Sequence, residues 1–170
     1  GKQKALTCLR LGRYDLSKPI IDLMDDKIKQ LERYNEVTTQ IISEDIDSVG
    51  ELLDERQQII AAMDGISLDI KQFVNDQSIE RRDKINALLN FEDIGELNGE
   101  LQLLQEKIKR VQALRSEIRS NDTIAFNRIK KERDDLKAKL ENAAKSKQVV
   151  DYFSQTSVDV TKGARLNLKN

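Results

Sequence analysis

Histidine and tryptophan are absent from this chain, and cysteine and proline each occur once in 170 residues. The lack of histidine excludes an imidazole base, a histidine-ligated metal site and a Ser–His or Cys–His nucleophile. No glycine-rich phosphate-binding loop is present. The single thiol, Cys8, lies among leucines, which favours a small packing residue over an activated thiolate. We therefore expect a protein that is not an enzyme, with no catalytic residues, no metal site and no cofactor.

Long hydrophobic runs are also missing, since no stretch approaches 18 apolar residues. We expect no stable membrane insertion and a cytoplasmic protein in which Cys8 stays reduced. Aromatic residues make up only 4% of the chain, whereas charged residues make up 35%. A sheet protein needs β-branched and aromatic runs separated by turn residues, so this composition instead predicts long amphipathic helices.

A first helix is predicted over about residues 18–43, because apolar residues recur there at steps of three and four. Ser17 is a suitable capping residue, and Pro19 fits the first turn of a helix, where its missing N–H is not needed. The expected stripe consists of Ile21, Met24, Ile28, Leu31, Thr38 and Ile42, widened by Ile20, Leu23, Tyr34, Val37 and Ile41.

A polar turn at 43–47 separates this helix from a second one, predicted over about 46–75 with a weak point at Gly65 and Ser67. Its expected apolar positions are Ile46, Val49, Leu53, Ile60, Met63, Ile70 and Val74. A short helix over 79–90 follows, and then a loop or a new helix start at 91–95.

The last helix is predicted to be the longest, because heptad-like steps continue for roughly 50 residues without a proline. Its stripe consists of Leu97, Leu101, Leu104, Ile108, Val111, Ile118, Ala125, Ile129, Leu136 and Leu140. The polar run 120–123 is a candidate kink. Three domains or segments follow from this: a lead-in at 1–17, a helical bundle at 18–155, and a mobile tail at 156–170.

The apolar stripes of these helices must pack against one another to be shielded from water, so we expect an elongated all-α domain. The short first connection favours an antiparallel helical hairpin, and the longer one brings the last helix back as a three-helix, coiled-coil-like bundle with a short extra helix. The last helix is expected to outrun its partners. Its apolar end, Val149 to Phe153, is either core packing at a helix end or an exposed strip that receives a partner's amphipathic helix, and both alternatives stay open.

Charge is unevenly distributed along the chain. Between Ile20 and Ile60 there are eleven acidic and four basic residues, and between Leu103 and Val150 there are thirteen basic and seven acidic ones. The favoured interpretation is complementarity between helices of the same chain. Nucleic-acid binding through residues 128–133 is disfavoured, because acidic residues are interleaved with the basic ones and aromatic residues are lacking.

Three stretches of the sequence resemble the bacterial flagellar export chaperones of the FlgN type. Residues 34–38 and 44–49, followed by Arg56-Gln57-Gln58-Ile59-Ile60, resemble that family's helical hairpin with a basic residue before an apolar pair. Ile118 to Asn121 resembles its long helix with an internal Asn. The segment from Tyr152 to Lys169 resembles its C-terminal tail, in which Tyr is followed by Gly and basic residues.

This resemblance implies a cytoplasmic bacterial chaperone that binds the helical C-terminal segments of hook-associated proteins, prevents their premature assembly and delivers them to the export apparatus. The implied partner-binding residues are Leu136, Leu140, Val149, Tyr152 and Phe153. We expect protein partners, no nucleic acid, and leave a homodimer open. A structural coiled-coil scaffold, or an adaptor or chaperone of another secretion system, explains the periodicity equally well.

Overall fold

The computed structural model describes residues 18–97 and 99–164, with side chains described as far as Gln155. All regular structure in these ranges is helical, so the predicted all-α class is confirmed. The elements are α1 (Ile20–Ser43), a 3₁₀ turn (Ile46–Ser48), α2 (Val49–Asn75), α3 (Ile79–Leu89) and α4 (Gly99–Ala164). The chain divides into two compact units, residues 1–125 and 126–170, and α4 contributes to both.

The predicted helix starts and breaks differ from the observed ones in detail. Pro19 occupies the N-cap position of α1 and its carbonyl accepts a hydrogen bond from the amide of Leu23, whereas we expected it inside the first turn. The predicted cap, Ser17, lies outside the described residues. Helix α2 runs through Gly65 and Ser67 without a break, and α4 continues through residues 120–123.

The C-terminal end of α4 also extends past its predicted limit. We expected a tail from residue 156, where apolar periodicity is lost, but the helix continues to Ala164. No proline lies in this stretch and the first glycine is Gly163, so the backbone has no reason to leave the helix earlier. The predicted lead-in at 1–17 and residues 165–170 lie outside the described residues.

Cross-helix contacts define how the helices of the first unit are oriented. Arg33 pairs with Glu55 and Lys27 contacts Ser67, so residue numbers fall along α2 as they rise along α1, and the two helices are antiparallel. Helix α4 runs parallel to α1, because Asp25 pairs with Lys107 and Glu32 with Arg110. The predicted hairpin with a returning third helix is confirmed.

Helix α1 supplies the largest share of the core. Its buried side chains are Ile20, Leu23, Met24, Leu31, Tyr34, Asn35, Val37, Thr38 and Ile41. The seam contains all five residues of the predicted flanking row and three of the six predicted stripe residues, Met24, Leu31 and Thr38. The other three, Ile21, Ile28 and Ile42, are only half-buried. Steps of three and four are the same for both rows, so periodicity alone predicts the helix but not which row faces its partners.

Helices α2 and α4 contribute narrower seams. In α2 only Val49, Ile59, Ile70 and Val74 are buried, while the expected core positions Ile46 and Leu53 are exposed. In α4 the buried side chains are Leu104, Ile108, Val111, Leu114, Ile118 and Ala125. The last of these, Ala125, is also the last residue of the first unit.

A polar layer interrupts this apolar core and joins α1, α2 and α4. The Arg56 guanidinium donates to Asp122 Oδ1 at 2.9 Å and to the Tyr34 hydroxyl, and its central carbon lies 4.3 Å from the centroid of the Tyr34 ring. The amide of Asn35 donates to Glu117 Oε1 at 2.8 Å and accepts from Asn121 at 2.8 Å. We call these six residues, three of which lie on α4, the polar layer.

Ion pairs outside the polar layer also connect acidic α1 to basic α4. Lys107 Nζ lies 2.5 Å from Asp25 Oδ1 and Arg110 Nη2 lies 3.1 Å from Glu32 Oε1. Acidic residues of α1 therefore pair with basic residues of α4 within the first unit. The Arg110–Glu32 pair is exposed and the Lys107–Asp25 pair is partly buried. Each contributes on the order of 1 kcal/mol, so these pairs help to fix register more than they stabilise.

The turn after α3 holds an aromatic residue in a left-handed conformation. Phe91 has φ 63°, its amide donates to the Leu88 carbonyl, and the Glu92 amide donates to the Ala87 carbonyl. This hydrogen-bond pattern is a Schellman motif, in which glycine is the usual residue at the left-handed position. In this conformation the Cβ of an L-residue lies too close to the following carbonyl oxygen, which strains the turn by about 1–2 kcal/mol.

We expect Arg56→Ala to lower the free energy of unfolding by about 2–3 kcal/mol, because it leaves Asp122 and Tyr34 without their partner. Urea denaturation of the full chain measures this change. The matched control is Arg33→Ala, which also removes an interhelical ion pair, in this case the one between Arg33 of α1 and Glu55 of α2. The Arg33 side chain is 43% exposed against 16% for Arg56, so its loss should be below about 1 kcal/mol. Equal losses would contradict the structural role of the polar layer.

We expect Phe91→Gly to give a more stable protein than Phe91→Ala, by about 1 kcal/mol, because both remove the ring but only glycine relieves the positive φ. Thermal or urea unfolding of the two variants measures the difference. Ala62→Gly on the exposed face of α2 is the control and should show the opposite preference, with alanine favoured by about 1 kcal/mol. If Phe91→Ala were the more stable of the pair, the left-handed turn would not be strained.

Candidate functional site

The five side chains predicted to bind a partner all lie on the part of α4 that belongs to the second unit. All five are large and either aliphatic or aromatic, and 52–67% of the surface of each residue is accessible to solvent. They are Leu136, Leu140, Val149, Tyr152 and Phe153. No residue from Phe126 to Gln155 is buried. The placement of apolar side chains in solvent, rather than in a core, is the main feature of this unit.

Helical geometry divides these residues into two groups. At about 100° per residue, Leu136, Leu140 and Val150 fall within an arc of about 80°, and we call them the aliphatic row. Val149, Tyr152 and Phe153 fall within an arc of about 100° on the other side of the helix, and we call them the aromatic cluster. The two groups are therefore two separate apolar surfaces rather than one continuous patch.

The aromatic cluster has internal order. The rings of Tyr152 and Phe153 lie 5.9 Å apart between centroids and at 71° to each other, an edge-to-face arrangement. Val149 lies three and four residues before them, so its side chain belongs to the same turn of the helix surface. Edge-to-face pairs of this kind contribute about 0.5–1.5 kcal/mol beyond area burial, which favours a fixed presentation of the two rings.

Charged side chains surround both groups. Between Phe126 and Gln155 there are eight basic and five acidic residues, so this surface carries a net charge of +3. Two of the charged residues, Glu132 and Lys147, lie at helical positions in line with the aliphatic row. The exposed apolar side chains of this part of α4 are therefore surrounded by a net positive charge.

The part of the chain that the structure describes contains no group of three or more His, Cys, Asp or Glu side chains that could hold a metal ion. None of its helices combines the length and the apolar composition that a membrane span requires.

The residues that carry the family resemblance in the first unit come together in the structure. Tyr34, Asn35, Arg56 and Asn121 all belong to the polar layer, although they are far apart in sequence. The sequence did not indicate that Asp122 and Glu117 complete this layer. A polar residue such as Asn35 beside the apolar stripe of α1 is the only signal that could have pointed to it.

No protein-family model, no curated protein and no solved structure matches the chain.

Proposed function

We propose that this protein is a helix-binding chaperone that uses the second-unit part of α4 to cover the apolar face of a partner's amphipathic helix. The observation that carries the proposal is the exposure of the aliphatic row and of the aromatic cluster within a single stretch of helix. An amphipathic helix laid against such a surface is recognised through anchors spaced three, four and seven residues apart.

The energetic argument rests on what these side chains gain when they are covered. Complete burial of a Leu, Val or Phe side chain contributes about 1.5–3 kcal/mol. Four or five such anchors are sufficient for specific binding after the losses of translational and side-chain freedom are subtracted. Aromatic residues such as Tyr152 and Phe153 are frequent hot spots in interfaces of this type.

The cargo that we propose is the helical C-terminal segment of flagellar hook-associated proteins. Two observations support this identification: the motifs that resemble the FlgN type, and the meeting of Tyr34, Asn35, Arg56 and Asn121 in one polar layer. A protein of this function is cytoplasmic and bacterial. It would cover a heptad stripe that otherwise aggregates, and would release it at the export apparatus.

The alternative of a structural scaffold has a specific observation in its favour. Glu132 and Lys147 lie in line with the aliphatic row, and in an antiparallel pair of identical helices centred between Lys139 and Leu140 they would face each other. Leu140 would then lie beside its copy in the second chain. A chaperone that acts on other proteins does not require such self-pairing.

We expect peptides with the C-terminal helical sequence of the hook-associated proteins of the same organism to bind the full chain. Leu136→Asp with Leu140→Asp should weaken binding at least tenfold, as should Tyr152→Ser with Phe153→Ser, because each pair replaces buried apolar contacts with polar groups. Isothermal titration calorimetry measures the affinities. Leu68→Asp in α2 is the matched control, since Leu68 is 68% exposed but lies in the first unit, and it should have no effect.

Hydrogen exchange provides the second measurement, because amides from 126 to 155 should gain protection when the peptide binds. Light scattering without peptide decides between the two functions. A concentration-independent oligomer that is disrupted by Leu140→Asp, together with no peptide binding, would replace the chaperone by the scaffold. Binding of the peptide to a monomer, lost in the two double variants, would support the chaperone.

A further inference from the structure

A pocket of about 210 Å³ lies in the first unit, among α1, α2, α4 and the turn after α3. Its walls are mostly apolar and consist of Met24, Ile70, Leu89, Phe91, Ile108 and Val111. An apolar cavity of about 150 Å³ accommodates benzene, so this pocket has room for a ring of that size and a few further atoms. The pocket is built from residues that the proposed chaperone function does not use.

Two cations and a hydroxyl complete the lining of this apolar pocket. Lys27 projects from α1, Ser67 from α2 and Arg115 from α4. The Lys27 ammonium is 3.5 Å from the Ser67 oxygen, at the outer limit of a hydrogen bond. Within residues 18–97 and 99–155, neither cation forms an ion pair with a carboxylate, whereas five other basic side chains of this unit pair with acidic ones on a neighbouring helix.

The electrostatics at the pocket are unfavourable as they stand. Desolvation lowers the pKa of Lys27, and the positive charge of Arg115 lowers it further. Two like charges at one pocket repel each other, and a half-buried ammonium loses hydration without gaining a counter-ion. An anion placed between Lys27 and Arg115 would offset their mutual repulsion and would serve as the counter-ion that the Lys27 ammonium lacks. Arg115 offers a planar fork suited to a carboxylate, and Lys27 offers a point charge.

The strained turn at Phe91 is the second, independent observation. Its left-handed backbone directs an aromatic side chain to the pocket wall, although glycine would relieve the strain. Phe91 remains 47% exposed, so burial in the core does not compensate for the strain. Strained residues that persist without a packing reason cluster at ligand sites.

We infer that this pocket binds a small organic carboxylate whose apolar body is about the size of a phenyl ring. The apolar body packs against Phe91, Ile108 and Met24. The carboxylate accepts hydrogen bonds from Arg115 and Lys27, with the Ser67 hydroxyl as a third donor. A free small acid, rather than a protein segment, is the occupant because the pocket holds so few atoms.

The probe is 3-phenylpropanoate, titrated calorimetrically into the full chain. We expect a dissociation constant below about 1 mM, in keeping with the few atoms that the pocket can hold. The neutral 3-phenylpropanamide should bind at least tenfold more weakly, and 3-phenylpropylamine should not bind. Acetate should bind at least tenfold more weakly than 3-phenylpropanoate, because it has no body to fill the apolar wall.

Variants assign the binding to this pocket. Lys27→Gln and Arg115→Gln should each weaken 3-phenylpropanoate binding about tenfold, and Lys27→Arg should retain it. Phe91→Gly should weaken it to a similar degree, while circular dichroism shows an intact fold. Lys29→Gln and Arg119→Gln, exposed on the same two helices, are the controls and should bind like the unaltered chain.

Three results would overturn the inference. The first is that 3-phenylpropanoate shows no detectable binding at a concentration of about 10 mM, which lies above the expected dissociation constant. The second is equal binding of the acid, the amide and the amine, which would show that the cations do not select charge. The third is an equal loss in the control variants, which would place the binding elsewhere on the chain.

Discussion

A guanidinium in the interior of a helical bundle needs partners, because an unpaired buried charge destabilises the folded state by several kcal/mol. In this protein the partners of Arg56 come from two different helices, Tyr34 on α1 and Asp122 on α4. Asn35 adds two more hydrogen bonds between α1 and α4. If one helix slid by a single turn, these bonds would be lost together, so the polar layer selects one register among several that the apolar seams alone allow.

With this register fixed, the lengths of the helices determine what is covered. Helix α1 has 24 residues and α2 has 27, whereas α4 has 66. The last buried side chain of α4 is Ala125, three residues after Asp122 of the polar layer. The apolar positions of α4 continue in sequence past this point, but none from Phe126 to Gln155 is buried. The apolar stripe of α4 thus changes after Ala125 from core to exposed surface.

The sequence predicts the helices well because their periodicity is a direct consequence of helix geometry. It predicts their facing less well, since two adjacent rows of α1 have the same spacing and only the partners decide between them. Ile59 rather than Ile60 is buried in α2 for the same reason. The end of α4 was placed too early, because loss of an apolar pattern marks the end of burial and not the end of hydrogen bonding along the backbone.

The two candidate sites differ in how far sequence could indicate them. The five partner-binding residues of α4 are named through the resemblance to the FlgN type, and for Val149 to Phe153 the sequence leaves core packing and exposure open. The structure places all five in solvent, which no linear pattern decides. Their division into the aliphatic row and the aromatic cluster needed the helical angles. The pocket was not predicted at all: Lys27, Ser67 and Arg115 look like ordinary surface residues in the sequence, and an aromatic residue is a poor candidate for a left-handed turn.

The proposed binding surface on α4 has a property that limits which partner helix could cover it. A single helix cannot enclose another helix, so each apolar side chain here can be covered on one side only unless the partner supplies more than one segment. The charged positions Glu132 and Lys147 within the aliphatic row add a selective element, because an in-register parallel copy would place each beside its own like charge. A partner with a base opposite Glu132 and an acid opposite Lys147 avoids this repulsion. Specificity for such a partner would then come from charge at the seam, and affinity from the apolar side chains beside it.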